Sequence, residues 1–195
     1  PRMKDPVRLA LPGRTLLLVA GMPGAGKSTL LDGLPPRADT VVLDSDAYRS
    51  ALAALLPGVP YAAYRPLVHL WHRLAVLVAA FSATAVVVVV HLPATDPSTR
   101  TAVARLAALT GRTAHLLWLD ADPGEARHGQ VARGRVVPEA SFAAHAERAA
   151  ATADALREGR PAGWSGVTVL DRPAARAGLR LEIGTPVQQE QGAHK

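Results

Sequence analysis

The nine residues GMPGAGKST, at 21–29, carry the strongest chemical pattern in the chain. Gly21, Gly26, Lys27 and Ser28 stand at the spacing of a phosphate-binding loop. Met22, Pro23, Gly24 and Ala25 fill the interval, and Thr29 follows. The flanks are the required ones: an apolar strand-like run at 14–20 and a helical segment from 27 to 34. Glycines let backbone N–H groups curl around phosphate oxygens, which a Cβ would obstruct. The start of a helix adds partial positive charge. Lys27 is then placed for the β- and γ-phosphates, and the Ser28 hydroxyl for Mg²⁺. The chain has three lysines against nineteen arginines, so an internal lysine at this spot is not background composition. The pattern calls for ATP with Mg²⁺.

A second cluster lies in VVLDSDAYRS, with Asp44, Asp46 and Arg49 at the end of the next strand-like run. In an open α/β sheet the carboxyl ends of strands border the ligand crevice. Extended spacing puts Asp44 and Asp46 on one side. Arg49 is one helical turn beyond Asp46. Transfer of a phosphoryl group to a hydroxyl needs a carboxylate to orient and deprotonate it, and gains from a second one near the metal. A simpler account has Asp44 or Ser45 capping the following helix.

Further along, YAAYRPLVHLWHRL (61–74) offers Arg65, His69, His72 and Arg73 at three- and four-residue spacings. Arginines there suit a phosphate or carboxylate on an acceptor, and a solvated helix face is the plain alternative. Leu67, Leu70, Trp71 and Leu74 are expected in the core. Between two helices, residues 125–142 concentrate Arg127, Gln130, Arg133 and Arg135. A basic segment there can close over a nucleotide and stabilise the moving phosphoryl group. Arg133 and Arg135 are equal candidates for that role.

These residues need a scaffold, and the pattern supplies one. Strand-like runs at 14–20, 40–44, 86–91, 113–120 and 166–170 alternate with helical segments, which predicts a five-stranded, mainly parallel sheet covered on both faces. Pro66 is expected in the first turn of a helix reaching 81, after an irregular connection at 57–66. Asp96, before Pro97, reads as a helix cap. Residues 179–183 can add a short final strand. One domain is expected over 14–183, with a lid at about 122–140 and flexible termini at 1–13 and 184–195.

The phosphate loop followed by D-S-D-x-x-R resembles the P-loop kinases of the polynucleotide kinase and zeta-toxin group. The D-x-D pair also resembles shikimate and gluconate kinases. The resemblance implies a three-layer, nucleoside-kinase-like P-loop NTPase fold with a basic lid. It also implies Asp46 as acceptor-side base, Asp44 as metal-side acid, Arg49 as acceptor anchor, and Arg172 after the fifth strand beside the adenine. Arg65, His69 and His91 join the expected acceptor side. The chain departs from the polynucleotide kinase branch at His91, where that branch ends its strand in an aspartate. Either Asp44 takes over the metal side, or His91 meets the acceptor or the γ-phosphate. A histidine held only by a structural hydrogen bond is the third account.

Composition narrows the rest. The 195 residues include no cysteine, so disulfides and thiolate chemistry are excluded. The net charge of +6 is scattered, without a run resembling a nucleic-acid tail. The longest apolar stretch, 74–90, is broken by Ser82 and Thr84 and is shorter than the ~20 residues of a membrane span. Residues 1–6 do not form a secretory leader, and a cytoplasmic location is expected. The expected activity is ATP-dependent phosphorylation of a hydroxyl. A small molecule such as a nucleoside, sugar or natural product is favoured over a nucleic-acid 5′-hydroxyl, for want of an aromatic stacking platform. The competing class is an ATPase or nucleotide switch with no acceptor.

Overall fold

The computed structural model describes residues 5–132 and 138–184. In chain order it contains β1 (Val7–Pro12), β2 (Thr15–Gly21), α1 (Lys27–Asp32), β3 (Thr40–Asp44), α2 (Ser45–Leu55) and α3 (Tyr61–Phe81). There follow β4 (Val87–His91), α4 (Pro97–Leu109), β5 (Thr113–Asp120), α5 (Pro123–Val131) and α6 (Glu139–Glu158). The last elements are β6 (Gly166–Asp171), α7 (Arg172–Ala177) and β7 (Leu179–Gly184).

Continuous apolar runs make the centre. Every residue of β2 is buried, and so are Val87 to Val90. Strands buried on both faces belong in a parallel sheet covered by helices. Five strands form it, all parallel, in the order β3-β4-β2-β5-β6. Right-handed crossovers put α1 on one face and α3, α4 and α6 on the other. The chain leaves β2 toward β3 and leaves β4 toward β5, in opposite directions. The carboxyl ends of β2 and β4 therefore flank the crevice where ligands of such sheets bind.

Three expectations are corrected. Residues 1–13 are not a loose terminus throughout: Val7–Pro12 is a strand, paired in parallel with β7 in a separate two-stranded sheet. Leu9, Leu11, Leu179 and Leu181 are buried, and this alternation holds the strand. Pro66 is not in the first turn but inside α3. The helix starts at Tyr61 because Tyr64 and Val68 pack on Leu52 of α2, which offsets the hydrogen bond that Pro66 cannot donate. Leu67, Leu70, Trp71 and Leu74 are not core but exposed. The buried stripe of α3 runs through Tyr64, Val68, His72 and Val76, and the four other side chains project from the opposite face.

The carboxyl end of α3 is held by one side chain. Arg112, 5% exposed, donates to the carbonyls of Ala79, Ala80, Ser82, Ala85 and Val86. A guanidinium matches the negative end of the helix and satisfies carbonyls that the helix leaves unpaired. It also joins α3, β4 and the start of β5.

Candidate active site

The loop after β2 is shaped by close approach. Gly24 has φ +90°, and a Cβ there would lie 2.1 Å from the Ala126 carbonyl oxygen. From the other side, a Cβ on Gly129 would lie 2.7 Å from the Gly24 carbonyl oxygen. Helix α5 thus rests directly on the loop, and the buried Gln130 fastens it by donating Nε2 to the Pro23 carbonyl at 3.0 Å. Asp122 caps α5 by accepting from the Glu125 N–H. Gly26 is the N-cap of α1 at φ +100°, with nothing within 4 Å of where its Cβ would lie, so its backbone twist alone demands glycine.

Lys27 is 5% exposed and donates Nζ to the carbonyls of Gly21 and Met22, both at 2.9 Å. Burial of an ammonium requires such partners. The ammonium is thereby fixed at the base of the loop. Ser28 lies near enough to Asp44 to help stabilise its ionised carboxylate.

Asp44 ends β3 directly beside His91 at the end of β4. Its Oδ1 accepts from the Asp46 N–H at 3.0 Å, capping α2. Its Oδ2 is 2.9 Å from His91 Nδ1, an ion-pair distance without hydrogen-bond alignment. Burial pushes the Asp44 carboxyl up, but His91, the Asp46 N–H and Ser28 together hold it below the ordinary carboxylate value. The carboxylate is therefore ionised at neutral pH. Asp46 is the second residue of α2, so the two acids do not share one side of an extended strand. Capping begins the helix at Ser45 and breaks the strand spacing.

Beside the pair, His72 is 2% exposed, with Nε2 3.2 Å from the Leu43 carbonyl. Burial pushes its imidazole below the ordinary value. It is the inner wall of a cleft of about 630 Å³ between α3, the β4–α4 connection and α4. That volume falls within the ~300–1,000 Å³ of small-ligand sites. Val76, Leu92, Val103 and Leu106 make the apolar walls; His69, Arg73, Thr95 and His145 make the polar rim. His145 Nδ1 is 3.1 Å from Thr95 Oγ1. Burial, then Arg148 and Lys27, push the His145 imidazole down, which places α6, the cleft and the phosphate loop in one electrostatic neighbourhood. The Gly21 N–H donates to the Pro93 carbonyl at 3.1 Å, tying the loop to the cleft's floor. Ala94 there has φ +46° and is the non-glycine with a positive φ among the described residues, a strained position of the kind found at functional sites. A second cavity of about 550 Å³, lined by Pro35, Arg37 and Arg180, shares no residue with the phosphate loop.

The structure brings Lys27, Ser28, Asp44 and His91 together and sets His69 on the cleft. Arg49 lies over the Tyr61 ring, 4.4 Å from its centroid. Arg65 donates Nε to His69 Nε2 at 3.2 Å without lining the cleft. Arg172 pairs with Glu125 at 3.6 Å, against α5. Arg133 and Arg135 lie outside the described residues. Asp96 caps α4, as expected. Thr95 and His145 had no local sequence signal: they are fifty residues apart, and His145 stands alone in an alanine-rich helix.

The chain matches, over residues 16–158, a family described as an AAA domain. No curated protein matches it. In fold it is similar to a candidate kinase from Chloroflexus aurantiacus, at 16% identity and a TM-score of 0.56, over 82% of this chain and 85% of that one. It is also similar to the structure of the PezAT chromosomal toxin–antitoxin system of Streptococcus pneumoniae, at 15% identity and a TM-score of 0.56, over 88% of this chain and 71% of that one. At such identities the likeness is one of fold. The matched family segment begins within β2 and ends with α6, and so holds the phosphate loop, the Asp44–His91 pair and the whole cleft. This chain is a member of the AAA domain family, with a five-stranded parallel P-loop fold.

Proposed function

We propose that the protein is an ATP-dependent phosphotransferase acting on a hydroxyl of a small, largely apolar molecule. One observation carries the reading: a phosphate loop with a buried lysine opens beside both the ionised Asp44 and a largely apolar cleft. The loop amides and Lys27 hold the β- and γ-phosphates. Ser28 and Asp44 fit a Mg²⁺ ion, which takes oxygen ligands, keeps several waters and needs only one or two carboxylates beside phosphate oxygens. When bound, that ion neutralises charge building on the phosphate oxygens. His91, paired with Asp44, orients that carboxylate instead of serving as a ligand, since imidazole is a poor partner for Mg²⁺.

On the acceptor side, Asp46 takes the proton of the hydroxyl as its oxygen attacks the γ-phosphorus. The new O–P bond forms, and the bond to the β-phosphate oxygen breaks, leaving ADP. Arg49 anchors the acceptor, and Arg133 and Arg135 supply charge from the lid. Arg172 flanks the base. The cleft wall bears no phenyl, phenol or indole ring, so it favours a compact hydroxyl compound over a stacked nucleic-acid strand.

The test incubates the protein with γ-labelled ATP, Mg²⁺ and hydroxyl compounds graded in hydrophobicity, with oligonucleotides alongside. Label is expected in an apolar alcohol, and Asp46→Asn is expected to lose it by at least ~100-fold while ATP affinity stays. Release of free phosphate alone, unchanged in Asp46→Asn, would instead make the protein an ATPase or switch and overturn the reading.

A further inference from the structure

Helix α3 is apolar on both of its faces. One face is spent on the core. The other presents Leu67, Leu70, Leu74, Val78 and their neighbours at 43–73% exposure, with Trp71 at its edge against Tyr48 of α2 and Leu77 at its edge on the cleft. A helix that is hydrophobic all round is ordinarily buried all round.

The exposed side chains follow a heptad. Leu67, Leu74 and Phe81 recur every seven residues; Leu70 and Leu77 fall three after the first two; Trp71 and Val78 flank them. The core-facing His72 and Ala79 lie at the opposite position of the same heptad. The seam is also symmetric about its own centre. Leu74 stands midway between Leu67 and Phe81. A two-fold axis through Leu74 therefore sets Leu67 against Phe81, and Leu70 and Trp71 against Leu77 and Val78, of an antiparallel copy. That self-complementarity is what a two-fold dimer requires. Together the seam exposes on the order of 800 Å² of apolar surface, about one partner's share of a standard interface and above the largest patch of a typical monomer. Residues 1–4, 133–137 and 185–195 are mostly polar or basic and have too few apolar side chains to match it.

We infer that the outer face of α3 binds the same face of a second copy, antiparallel, with Leu74 at the two-fold axis. Arg73 of each copy lies on the same flank of that seam. The like charges make association strengthen as salt screens them, the reverse of an ion-paired interface.

Sedimentation velocity of the full chain at tens of micromolar tests this. The expected mass is twice 20.4 kDa, rising in dimer fraction between low and high salt. Leu74→Asp sets two carboxylates face to face and is expected to weaken the dimer at least ~100-fold, a loss within the range seen for central interface positions. Leu74→Arg is expected to do the same, and an equimolar mixture of the two variants to restore the dimer. Leu109→Asp, at a still more exposed leucine on α4, is expected to change nothing. Circular dichroism checks folding, and Val78→Asp replaces Leu74→Asp if the latter unfolds. A wild-type monomer at these concentrations, a dimer that survives both seam variants, or failure of the mixed variants to pair would overturn the inference. So would monomeric wild-type protein that co-sediments with phosphatidylcholine–phosphatidylglycerol vesicles, which would assign the face to a lipid surface.

Discussion

Gly129→Ala is a substitution whose sign separates two physical accounts of helix α5. In an ordinary helix interior the change stabilises by about 1 kcal/mol, because alanine loses less backbone freedom than glycine. Here the new methyl would lie 2.7 Å from the Gly24 carbonyl oxygen, while ordinary contact begins near 3.4 Å. Either α5 or the phosphate loop must retreat by roughly 0.7 Å, and such overpacking costs about 1–3 kcal/mol. The helix gain offsets about 1 kcal/mol of that, leaving a net loss of up to about 2 kcal/mol. The atom met is loop backbone, which cannot swing aside as a side chain would, so the damage extends to function: ATP affinity should fall at least ~10-fold, since amides cradling a phosphate tolerate little displacement. Gly24→Ala loads the same loop–helix seam from the loop side, against the Ala126 carbonyl oxygen at 2.1 Å and with φ +90°, and should cost more. The pair should be non-additive, because both substitutions load one seam. Urea unfolding gives the stability change and calorimetric titration with ATP the affinity. Stabilisation of Gly129→Ala by about 1 kcal/mol with unchanged ATP affinity would refute the direct seating of α5 on the loop.

Arg112→Ala should destabilise by about 1–3 kcal/mol, because it removes a buried donor shared by five carbonyls, of which Ala79, Ser82 and Val86 keep a partner in the Ser82 N–H, the Arg14 guanidinium and the Thr15 N–H; urea midpoints check this, and a loss under ~0.5 kcal/mol would deny the side chain its bracing role. Stability should also fall on acidification. Burial holds the imidazoles of His72 and His115 below their ordinary value of 6.5, so both are neutral in the fold while the unfolded chain takes up protons near that pH. Their contribution is full above about pH 7 and is lost as pH falls below about 6.5, at up to ~1.4 kcal/mol per pH unit for each group. Urea midpoints at pH 7.5 and 5.5 measure the slope, which His115→Gln should flatten; an unchanged slope in that variant would show that His115 does not contribute.

Much of the site was legible because it is local in sequence. The phosphate loop needs its glycines, lysine and serine within one turn of chain, so their spacing alone reports the cradle. The cap at Asp96 is readable for the same reason, and the buried run of β4 identifies itself by its unbroken valines. Other parts depend on crossing elements. Asp44 and His91 meet only because β3 and β4 are neighbours in register, and nothing in either segment names the other. The cleft joins α3, α4 and α6, whose residues are far apart in the chain.

What the amino-acid order determined by itself was the sheet, the loop that ends its central strand, and a nucleotide's phosphates as the ligand, all consequences of periodicities and short motifs. Tertiary structure alone decided which side of α3 faces inward, because a helix apolar on two faces offers no internal reason to prefer one. It likewise set the cap-forming Asp44 against His91 and close to Ser28, since those contacts arise from strands and loops that meet only after the chain has folded.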